Sequence, residues 1–246
     1  MKISIVSQDK RYIELNEILL SNGYDSKICT IDNIVSTDIL ILSVRRELDD
    51  SELKVLLSKI PRDTLVLSGN KNKIKEYFDG RVVDYSASEE FLEKNAYLTA
   101  EATVSVLHSL LKRSLKDLKI FVCGYGRIGR QLCRIFSSLG AKMYAYARRE
   151  EIRDKIKNDG YISKPLEFSS SCNVVLNTVP SIIFSKEMID NISSNTCIIE
   201  LASQPGGFED ASKVYTASGL PGKIFPKSSA EIIYDTIKNL FPYRKG

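Results

Sequence analysis

Apolar residues alternate along the chain between short unbroken runs and longer stretches at helical spacing. The run 3–6 (ISIV) predicts a strand, and Tyr12, Leu15, Ile18 and Leu19 predict a helix that stops at Asn22 and Gly23. Strands follow at 26–31, 38–43 and 64–68. Between the last two lies a helix over 51–60, which Asp50 or Ser51 can cap and Pro61 follows. A short helix near 74–78, a strand over 81–85 and a helix starting near Ser88 complete a first run of alternating elements. Thr99 then reads as the N-cap of a long helix over 99–115, with Glu101 in its first turn, and this helix starts where a cleft between two units is expected. Beyond it the alternation resumes, with strands at 119–123, 142–147, 174–176, 197–201 and 213–216 and helices at 127–139, 151–158, 186–192 and 228–240. Such alternation implies parallel sheets covered by helices on both faces.

The strand 119–123 is apolar on both faces and runs into Gly124-Tyr125-Gly126-Arg127-Ile128-Gly129, a G-x-G-x-x-G turn that opens a helix. In a dinucleotide site the first glycine makes the tight turn, the second lets a pyrophosphate reach the backbone, and the third lets helix and strand lie close. The pyrophosphate then rests on the free N–H groups of the helix. An NAD site carries an acidic residue near the end of the next strand, to bond the ribose hydroxyls. Ala147 stands there, followed by Arg148 and Arg149. Two guanidiniums and no carboxylate suit a 2′-phosphate, so NADP is the expected cofactor; a solvated basic pair at a strand end is the competing account.

The fold class expected is therefore α/β: a Rossmann doubly wound parallel sheet plus a smaller, flavodoxin-like N-terminal α/β domain, joined by a long helix. The division expected is 1–96 for the N-terminal domain, with the C-terminal helix 228–246 packing back on it. The dinucleotide-binding domain then takes 97–227, including the helix 99–115. In open α/β sheets a ligand lies outside the carboxyl ends of the strands. Three strand ends carry small, polar, glycine- or proline-bearing loops: Asn177-Thr178-Val179-Pro180-Ser181, then 202–207 with Ser203, Gln204, Gly206 and Gly207, then 219–223 with Leu220, Pro221, Gly222 and Lys223. Turn chemistry alone accounts for any one of them, and three on one edge point to a ligand.

Composition narrows the partners. With 246 residues, 43% hydrophobic and 27% charged, the chain has the make-up of an ordinary globular protein. A net charge of +4, with scattered lysines, argues for neither nucleic acid nor a membrane surface. The first apolar run breaks after Val6, too early for a signal-peptide core, so a cytoplasmic location is expected. Five cysteines without a C-x-x-C pair suit reduced core thiols, and no metal site is expected. The one histidine, His108, lies in a helical run and reads as a packing or surface residue.

The stretches GYGRIGR, LGAKMYAYARR, NTVPSII, IIELASQPGG and SGLPGKIFPKSSAEII, in this order, form a set that resembles the A subunits of dipicolinate synthases over nearly all of 95–240. More distantly the chain is similar to the 2-hydroxyacid dehydrogenases and S-adenosylhomocysteine hydrolases. The resemblance implies an NADP-dependent oxidoreductase of the mother-cell cytoplasm in a spore-forming bacterium. It would convert the lysine-pathway intermediate 4-hydroxytetrahydrodipicolinate to dipicolinate, together with a flavoprotein-like B subunit. Whether the chain also forms a homo-oligomer stays open. So do two other readings, a general NADP-dependent reductase of a small carboxylic acid and an NADP-binding regulatory subunit. The catalytic histidine of the dehydrogenases has no counterpart in the C-terminal loops.

Such a site has to hold two carboxylates with cationic or N–H donors. Candidates are Asn70, Thr99, Ser181, Ser203, Gln204, the backbone of Gly206 and Gly207, the loop Leu220-Pro221-Gly222, and Arg45 or Arg46. Asn177, Thr178, Val179 and Pro180 are expected beside the cofactor together with the glycine turn. Glu101, Ser203 and Lys223 are the catalytic candidates. Glu101 is the nominated proton acceptor, with helix capping as its competing role.

Overall fold

The computed structural model describes residues 1–44 and 47–241, so Arg45 and Arg46 lie outside the described residues. The chain divides into two units: Met1–Asn95 with the chain from Pro221 onward, and Ala96–Leu220. The first unit is built by β1 (Lys2–Val6), α1 (Lys10–Ser21), β2 (Asp25–Ile28), β3 (Ile39–Leu42), α2 (Asp50–Ser58), β4 (Leu65–Ser68), α3 (Lys71–Lys75) and β5 (Val82–Asp84). Its strands are parallel in the order β2-β1-β3-β4-β5, the flavodoxin-like order. Alternate residues of β3 enter opposite cores, Ile39 and Ile41 into one and Leu40 and Leu42 into the other, as the two-residue period of a covered strand requires.

The cap of α2 is Asp49, one residue earlier than expected. Its carboxylate accepts from Glu52 N at 2.9 Å, and the Glu52 side chain accepts from Asp49 N at 2.9 Å, so two end groups are satisfied at once. In the core under α1, a chain of hydrogen bonds ties three segments together. Val44 N donates to the Tyr12 hydroxyl at 2.7 Å, Tyr12 and Tyr85 share a bond of 2.5 Å, and Tyr85 donates to the Leu42 carbonyl at 3.1 Å. Burial pushes both phenols above their ordinary pKa and keeps them neutral.

The largest departure from expectation is α4 (Glu89–Leu111), one continuous helix where the sequence suggested a break before Thr99. No glycine or proline interrupts 89–99. Thr99 is therefore an interior, buried residue and not a cap; its carbonyl accepts from Thr103 Oγ1 at 2.8 Å. Glu101 sits mid-helix and half-buried, so first-turn capping is no longer a competing role.

The second unit continues with β6 (Lys119–Cys123), α5 (Arg127–Ser138), β7 (Lys142–Tyr146), α6 (Glu150–Asn158), β8 (Ile162–Ser163), β9 (Val174–Asn177), α7 (Lys186–Asp190), β10 (Cys197–Glu200) and β11 (Val214–Thr216). All pairings are parallel, in the order β11-β10-β9-β6-β7-β8. This is the doubly wound nucleotide-binding order, and its direction reverses between β6 and β9. The reversal places the ends of those two strands, Cys123–Gly124 and Asn177–Thr178, at the point where ligands bind in such sheets.

The 219–223 segment, expected as a loop, forms the short helix α8 (Leu220–Ile224), and α9 (Pro226–Ile237) follows it. Proline at the first helical position has no N–H to lose there, which lets α9 begin two residues before the expected 228. Ala230, Ile233 and Ile237 of α9 share a core with Leu15 and Leu19 of α1. Among the described residues no helix is long and apolar enough to cross a membrane.

Removing the Tyr85 hydroxyl leaves the Leu42 carbonyl and the Tyr12 hydroxyl short of a partner in a closed core. Tyr85→Phe is expected to lower stability by about 1–3 kcal/mol, measured by urea unfolding; a value near zero would show that the buried chain contributes nothing net.

Candidate functional site

The glycine turn joins β6 to α5, and its three glycines answer to different constraints. Gly124 has φ +92°, and a Cβ on it would lie 2.5 Å from Thr178 Oγ1; the left-handed backbone and the close loop both call for glycine. A Cβ on Gly129 would sit 2.0 Å from the Gly124 carbonyl oxygen, so glycine lets α5 lie on the strand. Gly126 is different: its φ is an ordinary −80°, and a Cβ there meets no protein atom within 4 Å. The protein's own packing makes no demand at Gly126, whereas a pyrophosphate lying on the turn does. Gly126 is also the N-cap of α5 and supplies no side-chain cap. No side-chain cap therefore stands between an anion and the positive end of the helix dipole, and the residues present fit a dinucleotide.

A cleft of about 370 Å³ opens beside this turn, lined by Gly124, Gly126, Ala147, Arg148, Arg149 and Val179 among others. Arg153 steadies its far wall by donating to the Arg148 carbonyl at 2.7 Å. Arg149 pairs with Glu151 at 3.1 Å, an exposed contact. No carboxylate partner of Arg148 is found among the described residues. Thr178 Oγ1 donates to the Cys123 carbonyl at 2.9 Å and so ties the loop after β9 to the end of β6.

The loops after β9 and β10 are held by a residue that sequence reasoning passed over. Glu200, 5% exposed, ends β10, and its carboxylate accepts from Ala202 N at 2.7 Å, from Gly207 N at 2.7 Å and from Asn177 Nδ2 at 2.9 Å to each oxygen. Asn177, fully buried, also donates to the Val179 carbonyl at 2.9 Å and accepts from Val179 N at 3.1 Å. The Gly207 carbonyl then accepts from Ile183 N and Phe184 N, both at 2.9 Å, and the Phe184 and Phe208 rings stack at 4.7 Å. A lone carboxylate ending an otherwise apolar strand just before a glycine loop was the available signal.

This network revises several expected contacts. The Asn177 side chain faces the protein interior and positions the loop. The N–H groups of Gly206 and Gly207, expected as donors to a substrate, are already used, Gly206 N by the Ser203 carbonyl at 3.0 Å and Gly207 N by Glu200. The side chains left accessible on this edge are Ser181, Ser203 and Gln204, all exposed. In the first unit, Asn70 caps α3 by accepting from Lys73 N at 3.3 Å. Leu220, Pro221 and Gly222 are buried, and a Cβ on Gly222 would lie 2.6 Å from Arg11 Nε. Arg11 is itself paired with Asp9, Nη2 to Oδ2 at 2.6 Å. Lys223 is exposed, and so is His108. Among the described residues no group of three His, Cys, Asp or Glu could hold a metal. Burial pushes the Cys123 thiol well above its ordinary pKa and the Cys133 thiol up to about 12, which leaves both as packing residues.

Fold and cradle together define the class, a protein with a dinucleotide-binding Rossmann domain. Residues 85–203 match the family model of the D-isomer specific 2-hydroxyacid dehydrogenase, NAD binding domain. Along its length the chain resembles the A subunit of dipicolinate synthase of Bacillus subtilis, 23% identical over 283 residues, covering 98% of this chain and 95% of that protein. The crystal structure of the dipicolinate synthase A subunit from Bacillus halodurans superposes with TM-score 0.82 at 21% identity and 97% of each chain. The apo structure of D-lactate dehydrogenase from Escherichia coli gives TM-score 0.69 at 12% identity, over 98% of this chain and 96% of that one.

Two substitutions test the site. Gly126→Val is expected to weaken dinucleotide binding by about tenfold or more, because the side chain would fill the pyrophosphate's place, with little change in melting temperature; equal loss of stability would mean that packing requires the glycine. Glu200→Gln puts an NH₂ against N–H donors and is expected to cost about 1.5–3 kcal/mol by chemical unfolding.

Proposed function

We propose that this chain is the oxidative subunit of a dipicolinate synthase, acting on 4-hydroxytetrahydrodipicolinate with NADP⁺ and working with a second subunit. The likeness to the A subunit of dipicolinate synthase, over nearly the whole of both chains, is the observation that carries this reading. In the overall reaction one water leaves the substrate, a hydride passes to the nicotinamide when it is bound, and one proton is released, leaving the aromatic pyridine-2,6-dicarboxylate. Formation of the aromatic ring drives the step, so a modest proton acceptor suffices. Glu101, half-buried within α4, is the carboxylate we nominate. Ser181, Ser203 and Gln204 are the side chains we nominate to bond a substrate carboxylate from the edge of β9 and β10. They present hydroxyl and amide donors where the neighbouring backbone N–H groups are taken.

The preference for NADP⁺ over NAD⁺ rests on Ala147 and Arg148. A carboxylate at the end of β7 would repel a 2′-phosphate, and Ala147 cannot. Arg148 has no competing carboxylate among the described residues, whereas Arg149 shares its charge with Glu151. A planar guanidinium presents paired donors to a phosphate, so Arg148 is the clamp and Arg149 a secondary charge.

The synthesis reading is tested by supplying the purified chain and its partner with 4-hydroxytetrahydrodipicolinate and NADP⁺. Pyridine-dicarboxylate absorbance is expected, and none would sink the reading. Reduction of 2-ketoacids by the chain alone would instead favour a general reductase. For the cofactor, Arg148→Asp is expected to shift the ratio of kcat/KM for NADP⁺ over NAD⁺ toward NAD⁺ by about tenfold or more, the loss of one charge-assisted contact; an unchanged ratio would place the phosphate elsewhere.

A further inference from the structure

The second residue of the glycine turn, Tyr125, makes a contact that the turn motif does not call for. Its hydroxyl donates to Asp159 Oδ2 at 2.8 Å, across 34 positions of sequence. The residue is only 4% exposed, and its ring meets Tyr161 edge-on at 6.4 Å. Asp159 is the C-cap of α6, the helix that follows Arg148 and Arg149. Burial and the carboxylate neighbour push the Tyr125 phenol well above its ordinary range, so it stays a donor.

We propose that Tyr125 is a positioning residue for dinucleotide binding, anchoring the glycine turn through Asp159 so that its N–H groups are set for the pyrophosphate before a ligand arrives. Gly124 N donates to the Tyr146 carbonyl at 3.0 Å and fixes the start of the turn, whereas a Cβ on Gly126 would meet no protein atom within 4 Å, so between them the Tyr125 side chain is the contact that holds the turn. Ordering it on binding would subtract from affinity, and ordering it during folding removes that loss. The same tie links the pyrophosphate seat to the far end of α6, whose first residues adjoin the 2′-phosphate side of the cleft. The proposal rests on the dinucleotide reading of the turn and holds for NAD⁺ and NADP⁺ alike, since both carry the same pyrophosphate.

The test is a double-mutant cycle on the full chain with Tyr125→Phe, Asp159→Ala and the two combined. NAD⁺ and NADP⁺ binding would be followed by calorimetry, and hydrogen exchange of the ligand-free proteins would be followed in parallel. Each single change is expected to weaken the preferred dinucleotide by about threefold to tenfold, and the pair no further than the weaker single. Asp159→Asn, which keeps an oxygen acceptor, should restore most of the binding. Exchange across 124–129 should quicken in Tyr125→Phe while β9 and β10 keep their protection. Additive losses, unchanged binding, or faster exchange spread equally through β9 and β10 would overturn the positioning role. Failure of the unaltered chain to bind either dinucleotide would instead overturn the reading on which it rests.

Discussion

The carboxylate of Glu200 organises the ligand edge of the second unit. A buried charge is tolerable only where hydrogen bonds replace its water, and here the backbone of Ala202 and Gly207 and the amide of Asn177 do so. Each of those partners belongs to a different part of the edge. Asn177 ends β9, Ala202 opens the loop after β10, and Gly207 closes it and accepts from Ile183 and Phe184. Two loops that would otherwise move independently are thereby held in one arrangement, and the Ser203 and Gln204 side chains between them are carried on a fixed support.

The other side of the edge is organised by its glycines and by a helix start that has no side-chain cap. Helix α5 begins at a glycine that gives no side-chain cap, so its terminal N–H groups and dipole have no partner on their own helix. Gly124 and Gly129 are glycine because the protein is close around them; Gly126 is glycine where the protein is not. Thr178, bonded back to Cys123, joins the two halves at the point where the strand order reverses.

Local rules read well where periodicity was strong. The unbroken runs at Ile39–Leu42 and Lys119–Cys123 became inner strands, and the amphipathic run after Gly126 became α5. They read poorly where a good capping residue stood inside a helix. Thr99 has the chemistry of an N-cap, but nothing before it breaks the backbone, so α4 runs through it. Asp49, Asp50 and Ser51 are all competent caps, and the reciprocal bond with Glu52 chose the first. The Leu220–Gly222 stretch has turn residues but folds as a helical turn, and Gly222 lies against the Arg11 and Asp9 pair, more than 200 positions distant in sequence.

By itself the sequence determined the alternation of strands and helices, hence parallel sheets, and the glycine turn between a strand and a helix, hence a dinucleotide as the kind of ligand. These are local properties, written in spacing and backbone preference over a few residues. Tertiary structure alone decided which polar groups remain available. Asn177, Gly206 and Gly207 looked like ligand contacts because their chemistry permits it. Asn177 and Gly207 are consumed because Glu200, on a neighbouring strand, reaches them first, and Gly206 because the Ser203 carbonyl does. Tyr125, expected beside the cofactor as part of the glycine turn, has its hydroxyl engaged by Asp159, 34 positions away in sequence. Hydrogen-bond capacity belongs to a residue, but whether it is already spent depends on neighbours that only folding brings together.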